Sequence, residues 1–280
     1  MKNNLSNLHL TFIGCGVMAE SIVAGLLRKN LVNTEQLTAS HPRESRRKEL
    51  REKYGIEVFE KNSEAVESVK VKEDSGVFLC VKPQRIKGVL EELKGIVAPE
   101  QMVLSIIAGA KIEAISEALN NEKIVRTMPN TPSQIGAGMT AWTCTEKISD
   151  AEKAQIKSLL SALGKEIFVE NENMIDMATS LSATGPTYVF MVMEALTDAG
   201  VHLGFSREVS KELVQETMLG SVLFAIESHK HPAELRNMVT SPGGTSADAI
   251  YQMEKGGLRT VLSKAVYAAY SRAVALGQRK

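Results

Sequence analysis

Cysteine is scarce in this chain of 280 residues: there are three, Cys15, Cys80 and Cys144, odd in number and far apart. Their spacing fits neither a disulfide framework nor a Cys-x-x-Cys zinc or redox site. Histidine is nearly as sparse, with five scattered residues. His229 and His231, two apart, do not share a helix face, so no metal site is expected. A surplus of charge is also missing, because 33 Lys and Arg balance 33 Asp and Glu. A neutral chain lacks the basic excess with which proteins meet nucleic acid or anionic membranes. No apolar run reaches the roughly 18 residues of a membrane span, the nearest, 188–196, being cut by Glu194. The polar opening Met1-Lys-Asn-Asn-Leu-Ser-Asn is no secretory signal, which makes the cytoplasm the expected location.

What is present is an ordinary globular composition, 44% apolar and 24% charged, on a length near two average domains. Up to about residue 170, short apolar runs at 8–13, 36–39, 76–81, 102–107 and 124–128 are bounded by Gly, Pro or polar clusters, the pattern of buried strands. Between them, 17–29, 43–54, 83–94 and 111–119 have helical spacing, and a helix at 149–163 precedes a last strand at 165–169. Strand and helix in alternation imply βαβ crossovers and a doubly wound parallel sheet, an α/β fold covering 1–170.

Over 171–280 the strand signals stop, and 174–184, 186–203, 206–230, 232–239, 247–255 and 257–278 read as helices. Tyr188-Val-Phe-Met-Val-Met and Val222-Leu-Phe-Ala-Ile are apolar nearly all round, where a surface helix has one stripe. Such helices need more cover than so short a region supplies. The expectation is an all-α domain interlocked with a second copy, the alternative being burial against the first domain.

The run Gly14-Cys15-Gly16-Val17-Met18-Ala19 follows the first strand and opens the first helix. A Gly-x-Gly-x-x-Ala turn there suits a dinucleotide: Gly14 permits the tight turn, Gly16 removes a Cβ that would block a pyrophosphate, and Ala19 allows close packing. Free amides at the helix start face the anion. At the second strand end the chain reads Ser40-His41-Pro42-Arg43 with no carboxylate, and Arg46 and Arg47 follow. Ser40 and Arg43 are then donors for a 2′-phosphate, which favours NADP(H) and leaves NAD(H) open. Arg43, Arg46 and Arg47 also read together as a solvated basic helix face. Val81-Lys-Pro-Gln, Ser105-Ile-Ile-Ala-Gly and Met128-Pro-Asn-Thr-Pro, running on to Gly136 and Gly138, end further strands at the same edge and read as walls of a nicotinamide slot. In the helical half, Thr240-Ser-Pro-Gly-Gly-Thr-Ser-Ala-Asp248 reads as a nest of amides for a small carboxylate, or as a capping box from Thr245 to Asp248.

Taken in order, the glycine turn, Val81-Lys-Pro-Gln, Arg126-Thr-Met-Pro-Asn-Thr-Pro, Ser182-Ala-Thr-Gly-Pro-Thr-Tyr and Ser241-Pro-Gly-Gly-Thr-Ser make the chain resemble pyrroline-5-carboxylate reductase. The resemblance implies an N-terminal Rossmann domain, a helical C-terminal dimerisation domain, and a site joining the cofactor domain of one subunit to the helical domain of its partner. It also implies reduction of a small imino acid, L-1-pyrroline-5-carboxylate, to L-proline by NADPH or NADH. By the same resemblance, Ile13, Gly14, Cys15, Gly16, Val17 and Met18 would hold the pyrophosphate. Ser40, His41 and Arg43 would take the adenosine ribose or its phosphate, with Asn62 on the nucleotide side. Cys80, Val81, Lys82, Ile106 and Ala108 would line the nicotinamide end. Glu172 would lie near the substrate, gripped by Ser241, Gly243, Gly244, Thr245 and Ser246, with Ser246 orienting the imine nitrogen as the catalytic hydroxyl. Ser246 stands where a Thr is usual, Met238 replaces a polar residue, and Ala183-Thr184 replaces Gly-Ser. A β-hydroxyacid dehydrogenase is the main competing reading, but such enzymes carry a catalytic Lys on a helix that here, at 188–199, has none. A non-catalytic NADP-binding regulator is the other.

Overall fold

The structure, a computed structural model, describes residues 4–70, 72 and 74–278. The elements run β1 (Leu8–Ile13), α1 (Val17–Arg28), β2 (Leu37–Ser40), α2 (Glu44–Tyr54), β3 (Glu57–Phe59), α3 (Asn62–Lys70), β4 (Asp74–Leu79), α4 (Ile86–Leu93), β5 (Met102–Ser105), α5 (Ile112–Leu119), β6 (Ile124–Met128), β7 (Gly138–Cys144), α6 (Asp150–Ser161) and β8 (Gly164–Phe168). Helices follow: α7 (Asn173–Ala178), α8 (Gly185–His202), α9 (Arg207–Ser228), α10 (Pro232–Met238), α11 (Thr245–Lys255) and α12 (Leu258–Gly277).

The strands form one sheet in the order β3-β2-β1-β4-β5-β6-β7-β8. Every pairing is parallel except β6 with β7, which is antiparallel. Alternate residues of the central strands therefore face opposite layers. Phe12, Phe78 and Leu104 enter one buried cluster, while Ile13, Val77, Leu79 and Val103 enter the other. The Phe12 and Phe78 rings stack with centroids 4.8 Å apart. Strand order reverses at β1 and β4, the switch point at whose carboxyl edge open α/β sheets hold ligands.

The fold departs from the sequence expectation in four places. β3 and α3 occupy 57–70, where no element is expected, because a three-residue strand and a short polar helix carry little periodicity. Pro83–Arg85 is a 3₁₀ turn that precedes α4, rather than its first turn. The stretch after Gly136 is the antiparallel strand β7 and not a slot wall: a Cβ on Gly138 would meet Ser133 Oγ at 2.1 Å and the Leu163 carbonyl at 2.8 Å. The helix expected at 174–184 breaks at Thr179–Ala183 into a π turn, within which the Thr184 amide donates to the Thr179 carbonyl at 2.9 Å.

The chain falls into two compact units. One holds the residues up to Thr184 together with those from Ala269 onward, and the other holds Gly185–Ala268. The second half of α12 counts with the sheet unit. In the second unit Ser206 caps α9, its Oγ accepting from the Val209 amide at 3.3 Å. Gly200 lets α8 and α9 meet, since a Cβ there would lie 2.0 Å from Ser210 Oγ. Ser210 is the one buried residue of α8 to α11. Phe190, Met191, Val222, Leu223, Phe224 and Ile226 stay exposed in the single chain.

Candidate active site

Parallel pairing brings the ends of β1, β2, β4, β5 and β6 to one edge, and with them most of the residues expected to hold a coenzyme. Gly14 has φ +81°, a left-handed conformation that suits glycine, and a Cβ on it would strike Val81 Cγ1 at 2.5 Å. The turn is tied to its neighbours by main-chain bonds, the Cys15 amide to the Ser40 carbonyl at 3.0 Å and the Cys80 amide to the Ile13 carbonyl at 2.9 Å. Ile13 and Cys15 are wholly buried, so only their main chain can face a ligand. Gly16 caps α1 without a side-chain hydrogen bond, leaving the first amides of the helix to an anion. A Cβ on Gly16 would meet nothing closer than the Gly14 carbonyl at 3.9 Å, so the space over the helix start is open. An uncapped helix start beneath open space fits a pyrophosphate.

The tip of β2 is basic but mostly self-paired. Arg46 joins Glu20 and Glu49, and Arg47, buried, joins Glu44 and Glu60 and donates to the carbonyls of His41 and Pro42. These two arginines are structural ties, not a solvated face. Arg43 is exposed and, among the described residues, its guanidinium has no ion pair, which leaves it available to a 2′-phosphate. His41 is held below the ordinary histidine range, first by burial and then by the charge of Arg43. Ser40, expected to donate to that phosphate, is fully buried, and its hydroxyl donates instead to Asn62 Oδ1 at 2.7 Å while accepting from the Gly14 amide at 3.3 Å.

At the nicotinamide end, Val81 and Ala108 are partly buried and Lys82 is exposed, and the Ile106 amide donates to the Leu79 carbonyl at 3.2 Å. Burial pushes the Cys80 thiol well up and the Cys15 thiol to about 12, so neither is a nucleophile at neutral pH. Beside this edge, a cavity of about 700 Å³ between α4 and α5 is lined by Pro83, Ile86, Leu90, Ala108, Ile115 and Leu276 among others.

Glu172 is committed within its own unit. Its Oε1 accepts from the Ile112 amide at 2.9 Å and from Arg126 Nη1 at 2.8 Å. Arg126 is fully buried and also donates to Asp176 Oδ1 at 2.5 Å, while Lys111 Nζ reaches Asp176 Oδ2 at 2.9 Å. This four-residue cluster pins α7 to β6 and α5. Motif matching does not reveal this cluster; its signal in the sequence is Arg126, a lone Arg inside an apolar strand. Asn130 was missed too: its Oδ1 accepts from the Met139 amide at 2.9 Å, and its Nδ2 donates to the Ser182 carbonyl at 3.4 Å, fastening the π turn.

The second group of expected residues lies in the helical unit. Gly243 has φ +67°, and the Gly244 amide donates to the Ser241 carbonyl at 3.1 Å, closing a tight turn. Gly244 caps α11 with no side-chain hydrogen bond. Thr245 is therefore the first helical residue rather than the cap, and the capping box with Asp248 does not form. The open amides of Thr245 and Ser246 and their hydroxyls are suited to a small carboxylate.

Among the described residues no group of three or more His, Cys, Asp or Glu is arranged to hold a metal, and no helix is long and apolar enough to cross a membrane.

Known proteins resemble the chain from end to end. A family model described as pyrroline-5-carboxylate reductase dimerisation matches residues 172–276, and one described as NADP oxidoreductase coenzyme F420-dependent matches residues 9–109. Pyrroline-5-carboxylate reductase of Synechocystis sp. is 37% identical, covering 98% of this chain and 100% of its own length. That of Pseudomonas aeruginosa is 38% identical, with 98% of each covered. Among solved structures, the NADP-bound pyrroline carboxylate reductase of Plasmodium falciparum superposes with a TM-score of 0.88 at 29% identity, over 98% of this chain and 99% of that one.

Proposed function

This chain belongs to the pyrroline-5-carboxylate reductase family, and from that we propose that it reduces L-1-pyrroline-5-carboxylate to L-proline at the expense of NADPH or NADH, the closing step of proline biosynthesis, in the cytoplasm. The observation that supports this most is joint: the likeness covers 98% of the chain, and both glycine turns, at 14–16 and 243–244, sit before helix starts that no side chain caps.

The coenzyme supplies the hydride. The chain's residues supply position and charge. The amides following Gly16 take the pyrophosphate, and Arg43 meets the 2′-phosphate of NADPH, the preferred coenzyme. Val81, Lys82, Ile106 and Ala108 form the wall at the nicotinamide end. In the helical unit the amides and hydroxyls from Ser241 to Thr245 hold the carboxylate of the imino acid. Ser246 donates a hydrogen bond to the lone pair of the neutral ring nitrogen, orienting it and, with solvent behind it, relaying the proton that the nitrogen takes up as the hydride adds to the ring carbon. Glu172 enters this scheme through Arg126 and α5, as a support rather than a contact. The enzyme works as a homo-oligomer whose helical units interlock, the helical unit of one subunit completing the site of its partner.

Coenzyme oxidation that depends on pyrroline-5-carboxylate, with proline as the product, is the expected result. Reduction of NADP+ by 3-hydroxyacids, or coenzyme oxidation with no imine present, overturns it. Ser246→Ala is expected to lower turnover by about 1–3 kcal/mol of barrier, roughly 5- to 150-fold, and Ser246→Thr to restore most of it. Unchanged turnover of the alanine variant at saturating substrate removes Ser246 from the chemistry.

A further inference from the structure

The direction of the Ser40 hydroxyl is set from outside the glycine turn. Glu92, an exposed residue on α4, reaches the start of α3. Its Oε2 accepts from Asn62 Nδ2 at 2.7 Å, and its Oε1 accepts from the main-chain amides of Asn62 at 3.1 Å and Ser63 at 3.3 Å. Turning the Asn62 amide over would press Oδ1 against the carboxylate, two acceptors with no proton between them. Asn62 Oδ1 must therefore face Ser40, and the 2.7 Å contact there can be filled only by the Ser40 proton. That leaves a Ser40 lone pair for the Gly14 amide. One charge thus orders a chain of hydrogen bonds that ends on the first glycine of the coenzyme turn.

We propose that Glu92 is a positioning residue for the dinucleotide: acting through Asn62 and Ser40, it holds the Gly14 turn in the form that accepts a pyrophosphate. This rests on the reductase reading of that turn. Glu92 lies outside every motif that carries the family resemblance and touches no reacting group. Its side chain is at the surface, so its loss should cost the fold little and the coenzyme more. A hydrogen bond to a charged acceptor is the strong link of such a relay.

The test is NADPH binding followed by its fluorescence with no substrate present, in wild type, Glu92→Ala, Glu92→Gln, Ser40→Ala and the Glu92→Ala/Ser40→Ala double variant, with melting curves to show that each folds. Glu92→Ala is expected to weaken binding about tenfold and to raise the coenzyme KM equally, with kcat and the imine KM within about twofold of wild type. Glu92→Gln, which keeps a carbonyl for Asn62 Nδ2, should recover part of the loss. In the double variant Glu92→Ala should add nothing to Ser40→Ala, because the relay is already cut. Equal weakening in both backgrounds makes Glu92 a mere cap of α3 and overturns the proposal, as does wild-type affinity in Glu92→Ala. A wild-type protein that binds neither NADPH nor NADH overturns the reductase reading and this proposal with it. A wild type that binds beside an unaffected Glu92→Ala overturns this proposal alone.

Discussion

In the sheet unit Leu10, Phe12, Phe78 and Leu79 are fully enclosed, whereas in the helical unit Phe190, Leu223, Phe224 and Ile226 are 51–58% exposed. Both regions are rich in apolar side chains, so composition does not separate them. The difference lies in what each can cover by itself. A sheet with helices on both faces closes its core within one chain. Two long helices joined by the Gly200–Ser210 crossing cannot, and such apolar area left in water marks a surface meant for another chain. The lesson is that apolar content all round a helix, visible in the sequence, states a need for cover, and the structure shows the need unmet in one copy.

That comparison breaks most sharply at the centre of α9. Leu223→Asp with Phe224→Asp is expected to abolish assembly and, with it, more than roughly 99% of activity, if the site is shared between subunits as proposed. Light scattering would show a monomer; a fully active monomer would count against the shared site, and an unchanged oligomer against α9 as the interface. In the sheet unit the strongest effect should come from Arg126→Ala, which leaves buried Asp176 with Lys111 alone and partly buried Glu172 with only the Ile112 amide. Loss of one partner of a buried pair costs about 3–5 kcal/mol, measurable by denaturant unfolding, and the loss should be the same whatever the protein concentration. Gly200→Val tests the close crossing of α8 and α9. Overpacking there costs about 1–3 kcal/mol, and here the midpoint should depend on protein concentration, as befits a unit stabilised by its partner.

The smallest effect concerns Glu20, which ties α1 to α2. Burial pushes its carboxyl up, but hydrogen bonds from Lys53, Arg46 and Tyr54 outweigh this and bring it from 4.5 to about 2. A lowered pKa adds stability above the unfolded value, and that stability fades as pH falls from about 4.5 toward 2. Wild type should therefore exceed Glu20→Gln in stability at neutral pH, and the two acid-unfolding curves should converge near the lower end of that window. Curves offset by the same amount at every pH would show that folding does not lower the Glu20 pKa, and coincident curves that the tie contributes nothing.

The sheet was legible in the sequence wherever a strand is buried on both faces: 8–13, 76–79 and 102–105 are mostly apolar runs, and a Gly-x-Gly turn followed the first of them. β7 was not, because Thr140 and Thr143 occupy buried positions and blur the pattern, and its antiparallel direction leaves no mark in composition. Of the site, the glycine turns were readable because each does one steric job. The Arg46–Glu20 tie, the Ser40–Asn62 bond and the Glu172–Arg126 pair were not readable, since each joins residues more than 20 positions apart. A charged side chain in a motif looks the same whether it greets a ligand or a neighbouring strand.

Residues beyond Ala268 rejoin the sheet unit, and there Gly109 and Gly277 lie so close that a Cβ on either would come within 2.8 Å of the other's backbone. The helical unit is thus an insertion tethered at both ends, and a protease that nicks it anywhere between Gly185 and Ala268 leaves each fragment anchored by a piece of the same sheet domain. Excising it would call for a graft from Thr184 to Ala269, and the product would retain the whole coenzyme edge while losing every donor from Ser241 to Ser246.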